Sequence, residues 1–224
     1  NLLRSISHDL RTPLTSISGN AETLMGNDSE LGRQQRNAIY KDIYDDSMWL
    51  VNLVENLLSV TRIENGSMEL NIQGEILEDV ITEALRHVNR RGREQVITVE
   101  CDELLMARMD VKLMLQVIIN LTDNAVKYTP PHSEIMIKAR RHGDKAVVTV
   151  ADNGPGIKED EKDRLFQMFY TSSNTVSDGR RGMGLGLTLC QAVVGAHGSE
   201  IKVYDNVPHG AVFRFELEVE EVIL

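Results

Sequence analysis

The sequence predicts an α+β chain in two parts: a helical hairpin that forms a dimeric four-helix bundle, then an α/β sandwich with helices over one face. Three observations predict this. Up to about residue 64 apolar side chains recur at heptad spacing in two long runs. Beyond residue 67 short alternating runs and amphipathic runs interleave without the strict βαβ order of a parallel sheet. The change of period falls at "ENGS", residues 64–67, where Gly66 suits a helix C-terminus and a hinge. The parts are therefore placed at 1–66 and 67–224.

In the first helix Leu3, Leu10, Ile17 and Leu24 form one row, with Leu14 and Ala21 in the companion row. "MGNDSELG" (25–32) breaks the pattern with glycines, Asn27 and Asp28. The second helix runs from about 33 to Glu64, with Ile43, Leu50 and Leu57 in one row, Ile39, Leu53 and Val60 in the other, and Asp46 interrupting. Two antiparallel helices share a single face and cannot bury enough surface alone, so the stripes predict a homodimer. Next, "MELNIQ" and "VITVEC" read as strands, "EILEDVITEALRHV" as an amphipathic helix, and residues 110–128 as a long helix with Asp110 as its N-cap. "EIMIKARR" and "KAVVTVADN" are strands joined at "HGDK", and "RFELEVE" is a last strand.

Composition narrows the classes of function. With 42% apolar and 26% charged residues the chain reads as globular, and its scarce aromatics (4%) imply aliphatic cores. A net charge of −10, without a long Lys/Arg block, argues against direct nucleic-acid binding. Cys101 and Cys190 lack metal-ligand spacing and read as buried thiols in a reducing compartment. No apolar run approaches the ~18 residues of a membrane span, and no signal peptide is expected. The chain opens at "NLLRSIS", inside a helical pattern and without a start methionine, which predicts a segment of a longer protein.

"ADNGPGI" (151–157) and "RGMGLGLTL" (181–189) are two glycine-rich turns, which let backbone N–H groups approach a phosphate, and a helix starting just after Gly186 would add its dipole. Either turn alone would be weak evidence. Asn120, Asn124 and Lys127, however, stand at i, i+4 and i+7 and share one helix face. Asn oxygens suit Mg²⁺, and Lys127 can neutralise phosphate charge.

"SHDLRTPL", "NLTDNAVKY", "DNGPG", "FQMFY" and "GMGLGL", in this order, resemble the H, N, G1, F and G2 boxes of the sensor histidine kinases of two-component signalling, over nearly the whole chain. The resemblance implies a dimerisation and histidine-phosphotransfer bundle, then an ATP-binding domain of the Bergerat (GHKL) type shared with gyrase and Hsp90. It implies that Asp152 binds the adenine amine, that Asn120 and Asn124 hold Mg²⁺, and that Lys127 and Tyr128 line the nucleotide. Gly154, Gly156, Gly182, Gly184 and Gly186 would frame it together with Leu185. The stretch from Tyr170 to Arg181 would be a lid anchored by Phe166 and Phe169, with Arg180 or Arg181 reaching the γ-phosphate. Asp9 stands where Glu is commoner, and Ser199 where many relatives have a second Gly. "HDLRTPLTSISGNAETL" with "LVENLLSVTRIENG" is further similar to the potassium-responsive subfamily called KdpD.

His8 falls just outside the heptad seam, beside Asp9 and one turn from Thr12. A neutral imidazole can attack the γ-phosphorus of ATP while a carboxylate orients the ring and stabilises the developing charge, the role read for Asp9. In the resembling family the Thr12 position helps to place a water that removes phosphate from the partner. Pro13 frees the Asp9 carbonyl and permits the helix to bend. The expected reaction is transfer from Mg·ATP to His8 and on to an Asp of a response-regulator receiver domain. The chain would be the cytoplasmic portion of a membrane-anchored receptor, joined to the membrane through upstream segments. A chaperone-like ATPase would need a water-activating carboxylate where Asn120 stands, and a scaffold that merely binds nucleotide would have no use for "SHDLRTP".

Overall fold

The structure, a computed structural model, describes residues 2–27, 31–65, 69–88, 94–170 and 184–221, with backbone alone for residues 2–9 and 64. The chain divides into two compact units, Asn1–Leu58 and Ser59–Leu224.

The first unit is helical. Helix α1 (Leu2–Asn27) runs unbroken through Pro13. Pro13 has no N–H, so the Asp9 carbonyl receives no helical bond from it. Helix α2 (Arg33–Glu64) starts where Gly32 donates its N–H to Gln35 Oε1 (3.0 Å) and accepts from Arg36 N (3.0 Å), half of a capping box. The predicted rows Ile39, Ile43, Leu50 and Leu57 are half-buried and Leu53 is buried. A second apolar stripe, which the heptad reading did not single out, lies open: Tyr40, Tyr44, Met48, Val51, Val54 and Leu58 recur every three or four residues along α2, each at least 41% exposed.

The second unit has its own core, to which Val60 and Ile63 at the end of α2 belong. Its elements are β1 (Gln73–Ile76), α3 (Leu77–His87), β2 (Val96–Cys101), β3 (Met106–Met109), α4 (Val111–Tyr128), β4 (Glu134–His142), β5 (Lys145–Asp152), α5 (Glu159–Lys162), α6 (Gly186–Ala196), β6 (Lys202–Asp205) and β7 (Ala211–Glu218). A five-stranded sheet runs β2-β4-β5-β7-β6; β2 lies parallel to β4 and every other pair is antiparallel. Alternate residues of β4, β5 and β7 are buried, among them Ile135, Ile137, Val148, Val150, Phe213 and Phe215. They pack in one cluster with Leu77 and Ile81 of α3, Met114, Val117, Ile118 and Leu121 of α4, and Leu189 and Val193 of α6. The other sheet face carries Lys138, Arg140, Thr149, Arg214 and Glu216, as the alternation requires.

This is the expected sandwich, with differences at its margins. "MELNIQ" was expected to be a strand, but the strand falls later, at β1, where Gln73 pairs with Met109 in a separate two-stranded sheet. Asn71 is instead tied down by donating its N–H to Asp110 Oδ2 (3.0 Å). The four-residue strands β3 and β6 were not expected at all, being too short to establish a period of two.

Asp110 caps α4 as predicted: Oδ1 accepts from Lys112 N (3.1 Å) and Leu113 N (3.3 Å). Its own N–H donates to His197 Nε2 (2.9 Å), and His197 Nδ1–H donates to the Val193 carbonyl (2.8 Å), which ties the end of α6 to the start of α4. Asp110→Ala removes two cap bonds and the Asn71 bond. We expect it to lower unfolding free energy by about 1–2 kcal/mol in chemical denaturation.

Candidate functional site

On α1, His8 and Asp9 sit on consecutive helical positions one turn ahead of Thr12 and Pro13. Their side chains lie outside the described residues, Thr12 is exposed and Pro13 is buried.

In the second unit the sequence-predicted residues come from three elements. Helix α4 buries Leu121, Thr122, Ala125 and Val126 against the core, which leaves Asn120, Asn124 and Lys127 half-exposed on the opposite stripe. Lys127 Nζ lies 4.9 Å from the centre of the Tyr128 ring, and burial pushes the Tyr128 phenol up from its ordinary pKa. Asn120 faces the start of α6: a Cβ on Gly186 would lie 3.5 Å from its Oδ1. Asn120 Nδ2 is buried with no protein partner. The thiol of Cys190, fully buried, lies toward the Val117 carbonyl (3.7 Å), and desolvation drives its pKa far up, so it is an inert neutral group.

The second element is the turn after β5. Asp152 is 9% exposed, and its Oδ1 accepts from Gly154 N (2.9 Å) and Ala211 N (3.3 Å). Burial raises its pKa above the ordinary carboxylate value, and these two N–H groups offset part of that rise. A Cβ on Gly154 would meet Thr129 Cγ2 at 2.8 Å, so the turn lies hard against the end of α4. Thr129 is itself held by donating to the Ala125 carbonyl (2.7 Å). Gly156 has φ +76°, the left-handed region.

The third element is the entry to α6. Leu185 is buried, and the helix begins without a side-chain cap or an acidic residue in its first turn, so its N–H groups and dipole are open to an anion. Gly184 (φ +61°) accepts from Phe169 N (2.9 Å), and a Cβ there would sit 2.5 Å from the Phe169 carbonyl carbon. Phe166 packs edge-on to Phe213 (6.5 Å between centroids), and its carbonyl accepts from Thr188 Oγ1 (3.0 Å). Arg180, Arg181, Gly182 and most of the expected lid, residues 171–183, lie outside the described residues.

The structure thus sets the α6 entry against Asn120 and the Asp152 turn against Thr129, on either side of the α4 stripe along the helix. Sequence reasoning missed Thr129 and the β6–β7 hairpin, Asn206 to Ala211, which touches the Asp152 turn from more than 50 residues away. Among the described residues no group of three His, Cys, Asp or Glu side chains could hold a metal ion. Two neutral amide oxygens suit a hard cation that arrives with phosphate oxygens, and the unpartnered Asn120 amide, the glycine cradle and the uncapped helix fit a nucleotide triphosphate with Mg²⁺.

Comparison with known proteins gives two family matches: "His Kinase A (phospho-acceptor) domain" over residues 1–66 and "Histidine kinase-, DNA gyrase B-, and HSP90-like ATPase" over residues 109–221. The "Sensor protein KdpD" of Clostridium acetobutylicum is 40% identical over 98% of this chain, which spans 25% of that relative's length. Among solved structures, histidine kinase ThkA in complex with response regulator protein TrrA matches with TM-score 0.71 and 26% identity over 98% of this chain and 61% of that one. Acinetobacter baumannii histidine kinase AdeS matches in fold, with TM-score 0.77 and 22% identity over 96% of this chain and 98% of that one.

Two substitutions separate cradle from ligand contact. Gly184→Ala collides with backbone and should lower both the melting temperature and ATP affinity. Gly186→Ala has ordinary contact distances and should leave the melting temperature unchanged while weakening ATP binding at least tenfold by calorimetry. For Asp152→Asn the sign follows from the raised pKa: a carboxyl that holds its proton more readily folded than unfolded costs stability once pH exceeds both pKa values. The variant, which keeps the Oδ1 acceptor, should melt higher than wild type at neutral pH. The gap should close as pH falls towards the unfolded carboxyl value, and ATP binding should be lost.

Proposed function

Because the chain belongs to the histidine kinase-, DNA gyrase B- and HSP90-like ATPase family and carries that domain behind a His kinase A phospho-acceptor domain, the architecture of sensor histidine kinases, we propose that it is the catalytic core of such a kinase. The reaction is autophosphorylation of His8 from Mg·ATP, followed by transfer to an Asp of a response regulator. The observation that carries this reading is the α4 stripe Asn120–Asn124–Lys127, whose Asn120 meets the uncapped N-terminus of α6, in a chain that also presents "SHDLRTPL" on a helix. The working division is 1–66 for dimerisation and phosphotransfer and 67–224 for ATP binding, which the phospho-acceptor match over 1–66 supports.

In this reading Asp152 accepts a hydrogen bond from the adenine amine, and Tyr128, Phe166 and Leu185 line the base and sugar. Lys127 and the N–H groups from Gly184 to Gly186 hold the phosphates, joined by Gly154, Gly156, Arg181 and Gly182 around the nucleotide. Mg²⁺, held by Asn120 and Asn124, supplies neutralisation of phosphate charge. A ring nitrogen of neutral His8 forms a bond to the γ-phosphorus as the bond to the bridging oxygen breaks, and ADP carries that electron pair away. Asp9 steadies the proton on the other ring nitrogen. The phosphoryl group then passes to a regulator carboxylate, and Thr12 positions the water for the reverse phosphatase reaction. The ThkA–TrrA complex supports a response regulator as partner.

A homodimer is supported by the open stripe Tyr40, Tyr44, Met48, Val51, Val54 and Leu58. Among the described residues no helix is long and apolar enough to cross a membrane. We place this segment on the cytoplasmic side of a receptor anchored through other segments.

Incubation with γ-labelled Mg·ATP should yield label that is stable to alkali, lost in acid and absent from His8→Gln; alkali-stable label in that variant would overturn the assignment. Val51→Glu with Val54→Glu should convert the dimer to monomer by light scattering while leaving ATP binding within twofold, since both residues lie on the first unit.

A further inference from the structure

We propose that the β6–β7 hairpin positions Asp152, through Asn206 and His209, and thereby sets the base selectivity of the nucleotide site. This rests on the reading of Asp152 as the adenine-binding carboxylate. The hairpin tip reaches the 152–154 turn at four points. Asn206 Nδ2 donates to the Asp152 carbonyl (2.7 Å), and the Nδ1–H of His209 donates to the Gly154 carbonyl (3.1 Å). Ala211 N–H donates to Asp152 Oδ1 (3.3 Å), and Gly210, at φ +116°, lies so close that a Cβ there would stand 1.9 Å from the Asp152 carbonyl oxygen.

The orientation of the Asn206 amide is determined at both ends. Its Oδ1 accepts from Val207 N (2.9 Å), so its Nδ2 faces Asp152, while its backbone N–H closes the hairpin onto the Gly210 carbonyl (3.0 Å). The His209 tautomer follows likewise, because a carbonyl can only accept. These two side chains add little to the core: His209 is exposed, Asn206 half-buried and the intervening Val207 89% exposed. What they fix is the backbone on either side of Asn153, and with it the direction of the Asp152 carboxylate.

That direction matters because adenine and guanine differ where a carboxylate would read them. At position 6 adenine offers an amine donor and guanine a carbonyl acceptor. A carboxylate held in place accepts from the first and repels the second, and a buried polar group left unpaired rejects strongly. A carboxylate free to turn away loses the repulsion.

The experiment is calorimetric titration of the whole chain with Mg·ATP and, separately, Mg·GTP. The variants are Asn206→Asp, which turns the donor into an oxygen facing the Asp152 carbonyl, His209→Leu, which removes the donor, and His209→Asn, whose amide keeps a donor near the Nδ1 position. The expected result is a preference for ATP that narrows about tenfold in Asn206→Asp and in His209→Leu and is restored within twofold in His209→Asn. A merely structural role would reduce the competent fraction for both nucleotides alike and leave the ratio of their dissociation constants unchanged, which would overturn the proposal. So would His209→Asn behaving as His209→Leu. A wild-type chain that binds both nucleotides equally would overturn the adenine reading of Asp152 itself, whereas wild-type preference with unaltered variant ratios overturns only the role of the hairpin.

Discussion

The seating of α4 on the sheet governs everything else in the second unit. Met114, Val117, Ile118 and Leu121 are wholly buried in the cluster formed with the inner sheet face. Burying four such side chains contributes several kcal/mol, at about 1.5–3 kcal/mol each. Because a helix has 3.6 residues per turn, fixing that face also fixes the opposite one. The stripe of Asn120, Asn124 and Lys127 is therefore positioned by the packing of the face behind it. The polar stripe is a by-product of apolar packing, and its position is as stable as the core.

The two units are built on different terms. Among the described residues of the first, only Pro13, Leu53 and Asn56 are buried, and an apolar stripe of α2 from Tyr40 to Leu58 is exposed. Such a hairpin does not close its own core. The second unit has a core of its own, and charges on its outer sheet face are paired, Lys138 and Arg140 with Glu100 and Lys145 with Glu218 across strands, and Arg214 with Glu216 along β7. Exposed pairs of this kind contribute little stability, but they leave that face without an uncompensated field.

Elements with a long, regular period were legible in the sequence: both bundle helices, α3, α4 with its Asp110 cap, and strands β2, β4, β5 and β7. Legible too were local placements: Asp152 and its glycines in one turn, and Asn120, Asn124 and Lys127 on one helix face. The misses share a cause. β3 and β6 are four residues long, and β1 shares only Gln73 with "MELNIQ" because its register is set by pairing with β3. Thr129 and Asn206 act through contacts that exist only after the sheet has formed, and neither stands in a pattern. Gly210 was a glycine like any other until Asp152 was beside it.

Asp110 can be seen as a fulcrum. Its carboxylate holds the first turn of α4 and the Asn71 amide, and its N–H is held by His197. A helix is a stiff rod with a rise of about 1.5 Å per residue, so Asn124 lies roughly 20 Å along the lever from this pivot. A tilt of about three degrees at the cap would swing the Asn124 position by about 1 Å. The bonds that Asp110 makes at the first turn therefore help to hold the far end of the stripe in place as well as the near one.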